Sequence, residues 1–333
     1  MTTKEKLLEL LESDRETYFS GEDIARRLCV SRAAVWKAVT ALRQDGYAID
    51  AVTNRGYRLP GNTDILSAQG IRKYLKPEYR AMELSVLPSA VSTNSLIREK
   101  ANQGFPEGYT VISNEQTAGR GRYGRRFYSP PDTGIYLSIL LRPVHYDPRQ
   151  AVRLTAVAAV AMCEAMEAVS GESPGIKWVN DIFLRGKKVC GILTEASFGM
   201  ETGTLESAAL GVGVNLYPPK EGFPAELASI AGSVFACPQD DGKNRLAGEF
   251  LNRFLDWYHA PERTDYIEKY RSRSLVVGKS VQVLSGTGAR SAYAYGIDDA
   301  CRLLVRYENG ETACLSHGEI HVRLDGGSET GVR

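Results

Sequence analysis

Apolar positions in residues 1–62 first recur with the period of a helix and then alternate as in a strand. Leu7, Leu8, Leu10 and Leu11 form the stripe of an amphipathic helix. Ser20 followed by Asp23 has the form of a capping box, with the acid in the usual Glu position, and opens a second helix through Leu28. After the turn Cys29-Val30-Ser31, Ser31 can cap a third helix to about Gln44, with Val35, Val39 and Leu42 facing inward. That helix carries Arg32, Lys37, Thr40 and Arg43, and no acid lies between Ser31 and Gln44. Two extended runs, Tyr47–Val52 and Tyr57–Leu59, flank the turn Thr53-Asn54-Arg55-Gly56 and form a wing. Together these predict a winged helix-turn-helix over 1–62. A helix fits the major groove, and arginines and lysines neutralise phosphates, so Ser31, Arg32, Lys37, Thr40, Arg43 and Arg55 are candidate DNA contacts. A helical protein-interaction module with a solvated basic face is the alternative, but it leaves the wing arginines Arg55 and Arg58 without a purpose.

Pro60-Gly61-Asn62-Thr63 has the composition of a linker. Beyond it the pattern alternates between strands and helices. Strands are expected at Glu83–Leu87, Tyr109–Ser113, Ile135–Leu141, near Ile182, at Val189–Glu195 and at Ala208–Asn215. Helices are expected at about Val152–Val169, Leu246–Tyr258 and Asp265–Arg271, which suggests mixed strands with helices on one side over 63–274. From 275 to 325 five short strands separated by Gly, Asp and Asn turns suggest a small β-barrel: Ser280–Leu284, Ala292–Ile297, Leu303–Tyr307, Thr312–Leu315 and Ile320–Arg323. The fold class is therefore α+β in three segments.

Composition narrows the function classes. The 333 residues carry a net charge of +1, so any basic surface is local rather than global. The N-terminus lacks an apolar signal core, and no apolar run is long enough to span a bilayer, which excludes a membrane role. The six cysteines, Cys29, Cys163, Cys190, Cys237, Cys301 and Cys314, form no Cys-x-x-Cys pair, as expected for reduced thiols in a cytoplasmic protein.

The richest stretch is Gln116-Thr-Ala-Gly119-Arg120-Gly121-Arg122-Tyr123-Gly124-Arg125-Arg126. Its glycines let backbone approach an anion and its arginines bind phosphate oxygens in pairs. It lacks the Gly-Lys-Ser/Thr of a Walker loop. A flexible basic surface loop, or a second nucleic-acid contact, fits the composition equally. Ser92-Thr93-Asn94 gathers three neutral hydrogen-bonding groups and also reads as a helix N-cap. Lys177-Trp178-Val179-Asn180-Asp181 leads into a hairpin that returns through Lys187 and Lys188 to Gly191-Ile192-Leu193-Thr194-Glu195. Asp181 is a candidate magnesium ligand, and the two lysines are either charge partners or an ordinary solvated edge. Gly211-Val-Gly213-Val-Asn215 is a glycine-interrupted strand of the kind that admits a ligand.

In this order the five motifs resemble those of the biotin protein ligases, and the flanking segments resemble the bifunctional members, the biotin-operon repressors. The resemblance runs from about Lys4 to Arg323. It implies a class II synthetase-like catalytic domain and an SH3-like C-terminal barrel. Three departures stand out: Val179 where the family usually has proline, Phe127 where tryptophan is common, and His317 where glycine is frequent.

The resemblance implies an acyl-adenylate mechanism with ATP and biotin as substrates and Mg²⁺ as helper. No enzyme nucleophile is needed, and none of the four histidines (His145, His259, His317, His321) lies in these motifs. Catalysis falls to Arg120, Arg122, Lys188 and Lys177. Biotin falls to Ser92, Thr93, Asn94, Gln116, Arg120, Gly121, Arg122 and Lys188, and the nucleotide to Arg122, Arg125, Lys177, Asn180, Asp181, Asn215 and Arg323. The implied partners are the biotin acceptor domain of biotin-dependent carboxylases, operator DNA, and a second copy once the adenylate has formed. The loop from Gly119 to Arg126 is expected to be mobile when empty and to order over the adenylate. The rival readings are a ligand-sensing repressor with an inactive core and a lipoate-protein ligase.

Overall fold

The computed structural model describes residues 1–143, 151–198, 205–285, 288–316 and 319–322. The chain divides into two compact units, Met1–Ala81 with Cys237–Asn252, and Met82–Ala236 with Arg253–Arg333.

In the first unit, α1 (Thr3–Ser13), α2 (Gly21–Leu28) and α3 (Arg32–Gln44) are followed by the wing strands β1 (Asp50–Val52) and β2 (Gly56–Arg58) and by the short α4 (Ala68–Arg72). Leu7, Leu8, Leu11, Ile24, Val35, Val39 and Leu42 are buried together with Tyr47, Ile49 and Leu59, while Leu10 is only partly covered. Phe19 and Tyr57 exchange both backbone hydrogen bonds, at 2.9 Å each, which adds a third short strand to the wing. Gly56 makes this possible: a Cβ there would lie 2.0 Å from Phe19 O, and its φ is +104°. Ser20 caps α2 by accepting from Asp23 N, but Asp23 does not complete the expected box. Its short side chain pairs with Arg26 and Arg27 instead.

The linker is fastened. Arg15 donates to Gly61 O and Thr63 O and pairs with Glu12 and Asp241. Lys73 reaches the same two carboxylates, and Tyr74 donates to Asp241.

The second unit opens with β3 (Leu84–Leu87), α5 (Thr93–Asn102), β4 (Thr110–Ser113), β5 (Gly134–Leu141) and α6 (Ala151–Ser170). It continues through β6 (Gly175–Lys177), β7 (Asp181–Leu184), β8 (Lys187–Phe198), β9 (Leu205–Asn215) and α7 (Ala225–Ala228). The helix α8 (Gly242–Tyr258) contributes its last turns, followed by α9 (Tyr266–Ser272). The seven strands order as β3-β4-β5-β9-β8-β7-β6; only β3 and β4 are parallel.

Contrary to the expectation of helices on one side, both faces are covered. Ser138 pairs with Gly211 and Gly211 with Leu193, so these three share one face, where Asn94 of α5 bonds to Ser138 Oγ and Leu193 O. The next residues along, Ile139, Leu210 and Thr194, face the other way, and there Thr155 of α6 meets Thr194 at 2.8 Å. β5 is accordingly buried at every position. A helix on each face leaves one end of the first face open, and the cleft lies there.

The C-terminal strands are β10 (Lys279–Ser285), β11 (Gly288–Ile297), β12 (Leu303–Tyr307), β13 (Thr312–Leu315) and β14 (Glu319–Val322), antiparallel in the order β13-β12-β11-β10-β14. Val281, Val283, Ala292, Ala294, Ile297, Leu303, Val305 and Tyr307 are its buried face. His317 and Arg323 lie outside the described residues. Among the described residues no helix is long and apolar enough to cross a membrane.

Candidate active site

Ser92 is the N-cap of α5, its hydroxyl accepting from Ser95 N, and the same residue lines the cleft. Thr93 donates from both N and Oγ1 to Gln116 Oε1 at 2.9 and 3.1 Å. Behind them Ser138 Oγ lies 2.8 Å from Thr93 Oγ1 and 2.6 Å from Asn94 Oδ1. Asn94 Nδ2 donates to Glu195 Oε2 at 2.8 Å. Thr93, Asn94, Gln116 and Ser138 thus form a largely buried network of neutral groups, closed at one end by the Glu195 carboxylate, whose fixed donor and acceptor directions suit a ligand rich in amide-like groups. Ser138 escaped the sequence reading, although a serine within the otherwise apolar and aromatic run Ile135–Leu141 was its signal.

Residues 120–126 form a tight hairpin rather than an open loop. Gly121 N donates to Arg125 O at 2.8 Å, and Arg120 and Arg126 pair across it. Gly119 is required by crowding, because a Cβ would lie 2.5 Å from Phe127 O. The Phe127 ring lies over Gly191 and Gly213, where a Cβ would come within 3.1 and 2.6 Å of it. The glycine-bearing strands therefore make room for a ring, and together they form an apolar floor.

Arg120, Arg122, Arg125, Arg126, Lys177 and Lys188 line the same cleft, and among the described residues Asp181 is its one acidic lining residue. Arg122 donates to Asn180 Oδ1 at 3.1 Å, Asn180 holds Ile192 O at 2.9 Å, and Arg120 lies 3.3 Å from Glu195. The loop bearing Trp178 to Asp181 is held from behind by Trp178 Nε1 donating to Cys301 O and Tyr270 OH donating to Val179 O. The Trp178–Val179 peptide is cis.

Lys188 owes its direction to a β-bulge. Ile182 pairs with Cys190 but Phe183 with Lys188, leaving Val189 extra on β8. Without it, strand alternation would place Lys188 with Cys190 and Ile192 on the α6 face; the bulge turns it toward Gly191 and the cleft. Lys187 points away, donating to Ala228 O and Ser229 O. Asn215, buried at the end of β9, does not line the cleft.

Lys188 Nζ is 2.7 Å from Asp181 Oδ1. The pairing satisfies distance but not hydrogen-bond angle, so this oxygen stays buried without a hydrogen bond. Among the described residues no three acids, histidines or cysteines cluster as a metal cage. An aspartate in this position fits magnesium, which takes one or two protein ligands and fills the rest with water and phosphate, provided the Lys188 pairing is given up. Cys190 is fully buried, and burial pushes its thiol well above the usual range.

In the first unit α3 exposes Ser31, Arg32, Lys37 and Arg43, with Thr40 half-buried and its hydroxyl on Trp36 O. Two basic residues are partly committed: Arg43 donates to Ile49 O, and Arg55 lies 4.5 Å over the Tyr18 ring, beside Arg58.

Comparisons with known proteins agree with this architecture. Residues 86–215 match the biotin/lipoate A/B protein ligase family, 3–58 an HTH domain, and 276–328 the biotin protein ligase C-terminal domain. The chain is 34% identical over 317 residues to the bifunctional ligase/repressor BirA of Bacillus spizizenii, covering 93% of this chain and 95% of that protein. It is 27% identical over 325 residues to BirA of Escherichia coli, covering 96% of each. A solved biotin protein ligase from Aquifex aeolicus, in complex with biotin and ATP, superposes with a TM-score of 0.61 at 26% identity, covering 72% of this chain and 98% of that one.

Proposed function

The chain belongs to the biotin protein ligases, among the bifunctional ligase/repressors, and from that premise we propose how its residues divide the work. It is an ATP-dependent biotin protein ligase that also acts as a biotin-responsive transcriptional repressor. The observation that carries the chemistry is the convergence of Arg120, Arg122 and Lys188 on one cleft whose far corner is the neutral Thr93–Gln116–Ser138 network.

A biotin carboxylate oxygen attacks the α-phosphorus of ATP, the bond to the β-phosphate oxygen breaks, and pyrophosphate leaves. The acceptor lysine, as free amine, then attacks the acyl carbon; the carbon–oxygen bond of the mixed anhydride breaks, AMP leaves, and the nitrogen loses its proton. Two anions repel in a partly dry cleft, so the cations lower the barrier by holding them in register. Ser92, Thr93, Asn94, Gln116, Arg120, Gly121 and Arg122 hold biotin's ureido ring, and Lys188 neutralises the carboxylate and α-phosphate. Arg122, Arg125, Lys177, Asn180, Asp181 and Arg323 serve the nucleotide, whereas Asn215, which does not line the cleft, is left out of this set. Magnesium, when bound at Asp181, shields phosphate charge.

The hairpin 119–126 closes over the adenylate and keeps water from the anhydride. That closure creates the surface on which two copies pair, and the paired heads bind operator DNA in the cytoplasm. The division of labour assigns 1–62 to DNA, 63–274 to ligation and 275–325 to the C-terminal module.

Biotin-dependent exchange of pyrophosphate into ATP, followed by biotin transfer to a carboxylase acceptor domain, tests the enzyme. A repressor with an inactive core and a lipoate ligase both give no such exchange. Sedimentation with and without biotin plus ATP tests the dimer; equal association constants reject the linkage.

A further inference from the structure

Trp36 is 61% exposed, whereas Trp178 and Trp257 are 4% exposed each. It stands on α3, one helical turn from Arg32 and one from Thr40, and Arg43 follows on the same stripe. Those three residues are among the six named above as candidate DNA contacts. Around the indole the helix is small or basic, with Ala33, Lys37 and no acid at any position of α3. The helix thus presents a single apolar ring in a cationic field, not an apolar face. A protein partner or a second copy would ask for a contiguous apolar area. A polyanion with an isolated methyl group at its edge asks for this arrangement, and duplex DNA offers that group as the thymine C5-methyl in the major groove.

We propose that Trp36 is the apolar reader of the DNA-binding helix, packing its indole on a thymine methyl while Arg32, Lys37 and Arg43 engage phosphates. The proposal rests on the DNA-binding reading above and assigns it a specificity residue.

The test uses the full-length protein with biotin and ATP, and duplexes selected by it from a random pool. Each selected duplex is remade with deoxyuridine in place of thymidine, which deletes only the methyl groups. Trp36→Ala is expected to weaken binding about tenfold, and the uracil duplex to weaken wild type similarly without weakening Trp36→Ala further. Lys37→Gln weakens both duplexes alike and lowers the salt slope. Because the other tryptophans are buried, acrylamide quenching of tryptophan emission reports Trp36, and DNA should suppress it. Unchanged thermal unfolding of Trp36→Ala shows that the fold survives. If wild type and Trp36→Ala bind equally and quenching persists on DNA, Trp36 is no reader, though the head still binds DNA. If Trp36→Ala only dissociates a dimer and leaves affinity per head unchanged, the ring is a protein contact and the proposal fails. If wild type captures no duplex even at low salt, the DNA reading itself fails and takes this one with it.

Discussion

Lys188 Nζ stands 2.7 Å from Asp181 Oδ1 across the β7–β8 hairpin, each about a quarter exposed. The lysine proposed to meet biotin's carboxylate is already paired with Asp181, so substrate and carboxylate compete for one ammonium. Magnesium taken by Asp181 would release that competition. Lys188→Gln should therefore lower the adenylation rate by about 10²–10³. Asp181→Asn should chiefly raise the magnesium concentration needed for half-maximal pyrophosphate exchange. An Asp181→Asn variant with an unaltered magnesium dependence would separate the carboxylate from the metal.

Gly211→Ala tests the neutral network. A Cβ at this strand position would lie 2.2 Å from Asn94 Oδ1. Asn94 is 4% exposed and bonded to Ser138, Leu193 O and Glu195, so it cannot swing away cheaply. Overpacking of this kind costs about 1–3 kcal/mol. KM for biotin should rise more than KM for ATP, because the displaced groups belong to the ureido corner. Equal rises in both would show a general distortion of the sheet.

Much of this architecture was legible in the sequence, for identifiable reasons. The helical stripe Leu7, Leu8, Leu11 and the inward Val35, Val39, Leu42 depend on local periodicity, so the stripe of α1 and the bounds of α3 are legible. The C-terminal strands were found because alternation and turn residues are also local signals. The side of the sheet taken by α6 was not local: it depends on the pairing of β8 with β9 and β9 with β5, which no single segment reveals. The direction of Lys188 was hidden likewise, since a bulge is a property of two paired strands. Arg15 was missed because its partner Asp241 is more than two hundred positions away, and the linker it fastens has a composition that reads as free. Trp36 carried a sequence signal, an indole on the polar stripe of a basic helix, that was passed over.

Arg15 makes a stability prediction. Its side chain is 9% exposed and pairs with Glu12 and Asp241, themselves 2% and 5% exposed. Removing one member of a buried charge group leaves the others uncompensated, at a cost of about 3–5 kcal/mol. Lys73 still reaches both carboxylates, which puts Arg15→Met near the lower bound. Arg15→Lys keeps the charge but loses the fork that also holds Gly61 O and Thr63 O. Urea denaturation followed by circular dichroism should rank wild type above Arg15→Lys and Arg15→Met last. A midpoint unchanged by Arg15→Met would show that the network contributes specificity rather than stability.

Alkaline pH should destabilise the protein, and buried thiols and phenols set the window. Burial pushes the Cys301 thiol from its ordinary 9.0 up to about 12, and burial moves Tyr47 from 10.0 to about 12. Cys163 and Cys190 are raised in the same way. A raised acid keeps its proton in the folded chain while the unfolded chain has already released it. The unfolded state is then favoured as pH climbs, so the contribution is whole below about pH 9 and is lost between about pH 9 and pH 12. Each such group steepens the fall by at most about 1.4 kcal/mol per pH unit. Urea midpoints should therefore be flat up to about pH 8.5 and drop steadily above it, less steeply in Cys301→Ala. A thiol reagent at neutral pH should label Cys29, Cys237 and Cys314, which are exposed, and reach Cys163, Cys190 and Cys301 only on unfolding. Rapid labelling of Cys190 in the folded protein would show that its strand opens, and the alkaline loss of stability would then have to come from elsewhere.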